Sequence, residues 1–136
     1  MKAYTDIDQS KKLAEFLPLE SADMYYYTVN GDIYKTPNMI ERIDDLDVDD
    51  KSIPCWSLAA LLDVLQIYTI PTAFSTNISV PSLTKNKNGY SITYVGDYRI
   101  MESNNNDIES PIEIVADNPV DVCYKLVLKL HELKML

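Results

Sequence analysis

The chain contains three glycines, Gly31, Gly89 and Gly96, and each stands in a pair that turns a chain back on itself. Asn30-Gly31 and Asn88-Gly89 supply the positive φ that a tight hairpin demands, and Gly96-Asp97 is a further turn signal. The runs around them are rich in strand formers: MYYYTV (24–29) and DIYK (32–35), ISVPSLTK (78–85) and YSITYV (90–95), then YRIME (98–102). Strands joined by turns this short run antiparallel, because a parallel pair needs a crossover of a dozen or more residues. The pattern predicts a short hairpin over 24–35 and a three-stranded meander over 78–102, with IEIV (112–115) as one more strand. In the meander Tyr90, Ile92 and Tyr94 alternate onto one face, Ser91 and Thr93 onto the other. Pro81 places the first of these strands at an edge or interrupts it. Glycines so few and so scattered also exclude a phosphate-cradling loop or a dinucleotide-binding turn, both of which need them grouped.

Three helices fill the remaining sequence. Thr5 and Asp8 stand in capping-box spacing, which predicts a helix to about Leu17, stopped before Pro18. Leu13, Phe16 and Leu17 share one face of it. A second helix starts at Ser57 as N-cap, with Pro54 fixing the approach and Pro71 ending any continuation. Leu58, Leu61, Leu62 and Leu65 recur at i, i+3, i+4 and i+7, a stripe that faces a core. The last helix has the clearest signals: Asn118 caps it, Pro119 takes its first position and Asp121 lies where the helix dipole favours an acid. Asp121, Lys125, Lys129 and Glu132 line its polar face; Val120, Cys123, Val127, Leu130 and Leu133 line the opposite one. The fold expected is α+β: a single domain over residues 1–136 with a mainly antiparallel sheet of hairpins and meander. Its helices pack on one face, the first covering an edge or joining the other two. A chain of 136 residues has the length of one ordinary domain and needs neither metal nor disulfide to fold.

Charge narrows the partners. With 21 acidic residues against 12 basic ones the formal charge is −9. Phosphate contacts need clustered lysine and arginine, so direct binding to nucleic acid or to an anionic membrane is not expected. No apolar run approaches the roughly 20 residues that cross a bilayer, and the start MKAYTDIDQSKKL lacks an apolar leader, which reads as a cytoplasmic protein. There the thiols of Cys55 and Cys123 are expected to be reduced and buried. The glycosylation pattern Asn77-Ile78-Ser79 is then coincidence.

Four groups of residues invite a chemical reading. Cys55-Trp56 ahead of a helix has the look of a thiol-protease nucleophile, but the glycine and second cysteine of that motif are missing from Lys51-Ser52-Ile53-Pro54. Thiol catalysis also needs a histidine and an orienting Asn or Asp, and the sole histidine, His131, is followed by neither. Trp56 is read as a plug between helix and sheet, and His131 as a partner of the helix dipole. In the acidic run Asp44–Asp50, a calcium loop beginning at Asp45 would use Asp45, Asp47 and Asp49. Its sixth and twelfth positions hold Asp50 and Trp56, not glycine and glutamate, so the pattern fails and a solvated acidic loop is left. Asp117 and Asp121 flank a helix start, where structural acids sit. Finally, ten tyrosines against two phenylalanines point to half-buried strands. Tyr26 must face away from Tyr25 and Tyr27, and an open face bearing tyrosine and threonine suits protein or glycan contacts. No residue is assigned as catalytic, cofactor-binding or metal-ligating, and no cofactor is expected.

Three segments, SKKLAEFLPLESADMYYY (10–27), IPCWSLAALLDVL (53–65) and ADNPVDVCYKLVLKLHEL (116–133), resemble a group of small uncharacterised proteins of gut anaerobic bacteria and their phages and mobile elements. The resemblance covers the beginning, middle and end of the chain and leaves the central hairpins without a counterpart. It implies an association with phages or mobile elements. The group has no established activity, so the resemblance transfers no functional residue.

Three functions follow as expectations. One is a non-enzymatic accessory or adaptor protein acting on a protein partner. Another is an acidic inhibitor that mimics nucleic acid, using Asp44–Asp50 to occupy a basic groove. The third is a small enzyme with a carboxylate site or a site near Cys55, which would require a concave pocket with convergent polar groups.

Overall fold

A computed structural model describes residues 2–29, 31–33, 35–39, 52–67, 81–94, 112–134 and 136. The first helix, α1, spans Ile7–Ala14. Its capping box is built by Asp6 and Gln9, not by Thr5 and Asp8: the Asp6 carboxylate accepts from Gln9 N at 2.8 Å, and the Gln9 side chain accepts from Asp6 N at 3.2 Å. Thr5 is excluded from capping because its side chain is buried elsewhere. The helix ends before Leu17 because its last turn tightens, Phe16 N bonding to Leu13 O at 3.2 Å, ahead of Pro18. Leu13 and Leu17 are buried and Phe16 is partly so, as a shared face requires. A 3₁₀ turn, Leu19–Ser21, leads to the first strand.

Strand β1 (Met24–Tyr26) is the centre of a three-stranded antiparallel sheet, flanked by β4 (Asn38–Met39) and β5 (Ile53–Cys55). Met24 lies opposite Met39 and Cys55, and Tyr25 opposite Asn38 and Pro54. The hairpin expected over 24–35 is therefore shorter. Among the described residues β2 (Thr28–Val29) and β3 (Asp32–Ile33) pair there, and Gly31 between them has φ +86°. β5 replaces part of what was read as an approach to the second helix. It is an edge strand, which is where a proline such as Pro54 is tolerated.

The second sheet has the order β6 (Ser82–Asn86), β7 (Gly89–Tyr94), β8 (Ile112–Ala116), all antiparallel. β6 is an edge, in line with Pro81 just before it. The second neighbour of β7 is the 112–116 segment; the expected strand at 98–102 lies outside the described residues. The hairpin tip is displaced by one residue from Asn88-Gly89. Asn86 pairs with Gly89, so Lys87 and Asn88 form the tip, and Asn88 N donates to Asn86 Oδ1 at 3.0 Å. Gly89, at φ +126°, belongs to the strand. A Cβ there would come within 2.5 Å of Ala116 O, so β8 itself demands glycine.

Helix α2 (Leu58–Ile67) starts as expected, with Ser57 Oγ accepting from Ala60 N at 3.2 Å. Its fully buried face is Ala60, Leu61, Val64 and Leu65, whereas Leu58 and Leu62 are only partly buried. The segment LAALLDVL is apolar on most sides, so the packing partner rather than the sequence period selects the face. That partner is helix α3 (Pro119–Glu132). Helix α3 is capped by Asn118 Oδ1 on Asp121 N at 2.9 Å, with Pro119 in the first turn. Val120, Cys123, Val127, Leu130 and Leu133 are buried as predicted, and Val122 and Leu126 join them.

The α+β class with antiparallel sheets is as the sequence implies, and the described residues include three helices. The layers are finer: α3 lies across β7 and β8, α2 lies against α3, and α1 packs on β5. The main core joins α2, α3, Leu13, Trp56, Ile92 and Ile112. A separate small cluster of Met24, Tyr26 and Cys55 sits beneath the first sheet, with Tyr4, Ile7, Ile33 and Ile53 around it.

Candidate functional site

Cys55 ends β5 and Trp56 follows it into α2, so the strand-to-helix junction fixes both side chains inside. Both are 0% exposed. The Cys55 sulfur donates to Thr5 O at 3.4 Å and lies 3.6 Å from Thr5 Oγ1. Thr5 is the node of this junction. Its N–H bonds to Trp56 O at 2.9 Å, its hydroxyl oxygen accepts from Trp56 N at 3.1 Å and meets Ser10 Oγ at 2.7 Å, and its carbonyl accepts from Tyr26 OH at 2.6 Å. Burial pushes the Cys55 thiol up, and the hydroxyls of Thr5, Ser10 and Tyr26 only partly oppose it. A nucleophilic thiol needs the reverse, an exposed sulfur with a lowered pKa. Cys123 is likewise free and buried, and burial alone pushes it up to about 12. Trp56 is the expected plug, its Nε1 donating to Ser21 Oγ at 3.0 Å.

His131 does not approach this junction. It lies exposed in the last turn of α3, its ring stacked on Phe16 at 3.9 Å between centroids and 8° from parallel. Its Nδ1 is 3.1 Å from Leu136 O. A shallow depression of about 390 Å³ is lined there by Lys12, Leu128, His131 and Glu132. Cysteine and histidine thus occupy different surroundings with different partners.

Two polar clusters were not foreseen. Asp23, just before β1, accepts from Ser57 N at 2.9 Å and from the Ser57 hydroxyl, which also caps α2. Lys2 donates to Asp121 Oδ1 at 2.8 Å, Gln9 Oε1 at 2.7 Å and Asp6 Oδ2 at 3.1 Å, tying the starts of α1 and α3 together. For Asp121, burial is the largest influence and raises the carboxyl. The bonds from Lys2, Gln9 and Asn118 together outweigh it, so the net shift is downward. Lys2 is likewise penalised most by burial yet ends above its ordinary value, through Asp121 and Asp6. No local motif announces either cluster: Asp23 and Ser57 are 34 positions apart, Lys2 and Asp121 119 apart.

Asp117 is exposed. Tyr26 is buried while Tyr25 and Tyr27 are half-buried on the other side of the strand, their rings 6.3 Å apart at 62°. The Asp44–Asp50 run, with Asp45, Asp47 and Asp49, and the Asn77-Ile78-Ser79 pattern lie outside the described residues. Among the described residues no three His, Cys, Asp or Glu side chains are grouped to hold a metal, every buried side-chain nitrogen or oxygen has a hydrogen-bond partner, and no helix is long and apolar enough to cross a membrane. No protein-family model matches the chain, and no curated protein or solved structure matches it significantly.

Proposed function

We propose that this is a non-enzymatic accessory protein that acts by binding another protein, and that Tyr25 and Tyr27 belong to the surface it uses. The observation that carries the reading is their placement. Tyr26 fills the inner side of β1, and its two neighbours put an edge-to-face aromatic pair on the outer side, in register with exposed Asn38. Tyrosine gives large contact area at low entropic cost, which is why it is enriched at protein interfaces. The residues best suited to chemistry are occupied structurally: Cys55 under Thr5, Ser57 on Asp23, His131 on Phe16. The resemblance of the three segments to proteins of phages and mobile elements of gut anaerobes suggests a host protein as the partner.

The test is affinity capture from such a host with the wild-type chain and with a Tyr25→Ala/Tyr27→Ala variant of matched urea midpoint. A partner retained by the wild type and lost by the variant supports the reading. Equal capture by both, or capture of nothing by either, overturns it.

A further inference from the structure

The segment Lys2–Asp6 crosses the β5–α2 junction outside any named strand, with one β-bridge, Tyr4 to Ser57. Thr5 alone in it is buried; Ala3 and Asp6 are exposed. What holds it is mostly polar: Thr5 N to Trp56 O, Trp56 N and Ser10 Oγ to the Thr5 hydroxyl, Leu58 N to Ala3 O at 3.2 Å, Tyr26 OH to Thr5 O, and Lys2 to Gln9 and Asp121, with Tyr4 as its one apolar side chain packed on the small cluster. Each such bond exchanges for one with water, so its net worth is small, and the half-exposed Lys2 ties are open to screening. The helix that follows is anchored differently, by Leu13 in the main core and by Ile7 against the small cluster.

Directly beneath it lies Cys55, bonded to Thr5 through both the carbonyl and the hydroxyl. Cys123 sits in a different place, midway along α3 in the main core. We propose that Lys2–Asp6 is a detachable strap: it opens about Asp6 as a unit, apart from global unfolding, and its opening uncovers the Cys55 thiol while Cys123 stays enclosed. Such local openings cost less than unfolding the whole chain when few apolar contacts hold the moving part. The thiol is then presented only in the open conformation, where it regains an ordinary thiolate fraction and can be modified.

Alkylation by iodoacetamide, read at each cysteine by peptide mass spectrometry across a series of low urea concentrations, tests this. Cys55 is expected to react at least about tenfold faster than Cys123, with a weak urea dependence, because a local opening exposes little surface. Lys2→Met, which removes the two Lys2 ties from the strap to Gln9 and Asp121, should raise the Cys55 rate about tenfold and leave Cys123 unchanged. Equal rates and urea slopes at the two sites would overturn the strap, as would Lys2→Met shifting both rates in parallel or neither. If that variant does not fold, the wild-type urea series decides alone.

Discussion

Asp23 grips Ser57 through both carboxylate oxygens, one on the backbone N–H at 2.9 Å and the other on the hydroxyl, and that same hydroxyl caps α2 at Ala60 N. The carboxylate thus sets the rotamer of an N-cap and also brings negative charge to a helix start, where the dipole welcomes it. It joins the entry of β1 to the entry of α2, beside the backbone link that runs from β5 through Trp56 into the same helix.

Removing that carboxylate should be costly. Asp23→Ala leaves the Ser57 N–H and hydroxyl without their acceptor and should lower stability by about 2–3 kcal/mol, the worth of a charged hydrogen bond and a weakened cap. Asp23→Asn keeps one acceptor oxygen and should lose about half as much. Urea denaturation of both variants measures this. An unchanged midpoint in Asp23→Ala would show that the cap stands without Asp23.

The face of α2 gives a second comparison. Leu61 is 0% exposed in the main core, whereas Leu62 is only partly buried at its margin. Leu61→Ala should cost about 2–5 kcal/mol and Leu62→Ala clearly less, near 1–2 kcal/mol, because the cavity at the margin is open to water. Equal losses would restore the stripe that the leucine spacing suggests.

That comparison marks where the sequence was legible. α3 could be read almost residue by residue, because its cap, its Pro119 and its two-sided pattern are local and agree with one another. The β2–β3 and β6–β7 hairpins followed from the Asn-Gly pairs. Partner strands did not: β1 finds β4 and β5 and β7 finds β8 by tertiary contacts that no turn dipeptide encodes. The hairpin tip slipped by one because the carbonyl of Ala116, far along the chain, claims Gly89 for the strand. The burial of Cys55 could be inferred from the missing catalytic partners. Its cover by Thr5 could not, since the helix-cap pattern Thr5–Asp8 competes with Asp6–Gln9, and only packing decides which threonine or aspartate turns inward.

The two described glycines should respond differently to a methyl group. At Gly31, φ +86°, a Cβ meets nothing within 4 Å, so Gly31→Ala carries only the cost of a left-handed alanine, about 1 kcal/mol. At Gly89 the same change adds a Cβ 2.5 Å from a backbone oxygen of β8, which must move. Gly89→Ala should lose about 2–4 kcal/mol and, in amide exchange, weaken protection along β7 and β8 selectively. Matching losses at the two positions would mean that β8 does not press on Gly89.

Stability should fall on the alkaline side as the thiols of the unfolded chain ionise. Burial raises both thiols, Cys123 to about 12, while an unfolded cysteine ionises near 8.5. A folded-state pKa above the unfolded one means that stability is fully present below about pH 8.5 and is lost as pH rises toward the folded value, because only the unfolded chain releases the proton. Each thiol then contributes a loss of up to about 1.4 kcal/mol per pH unit above that point. Between pH 8.5 and 10 the wild-type unfolding free energy should therefore drop more steeply than that of Cys123→Ala, whatever the baseline cost of the small cavity that variant leaves. Urea titrations at several pH values under reducing conditions give both slopes. An identical slope in the two proteins would show that Cys123 ionises as freely in the folded chain as in the unfolded one.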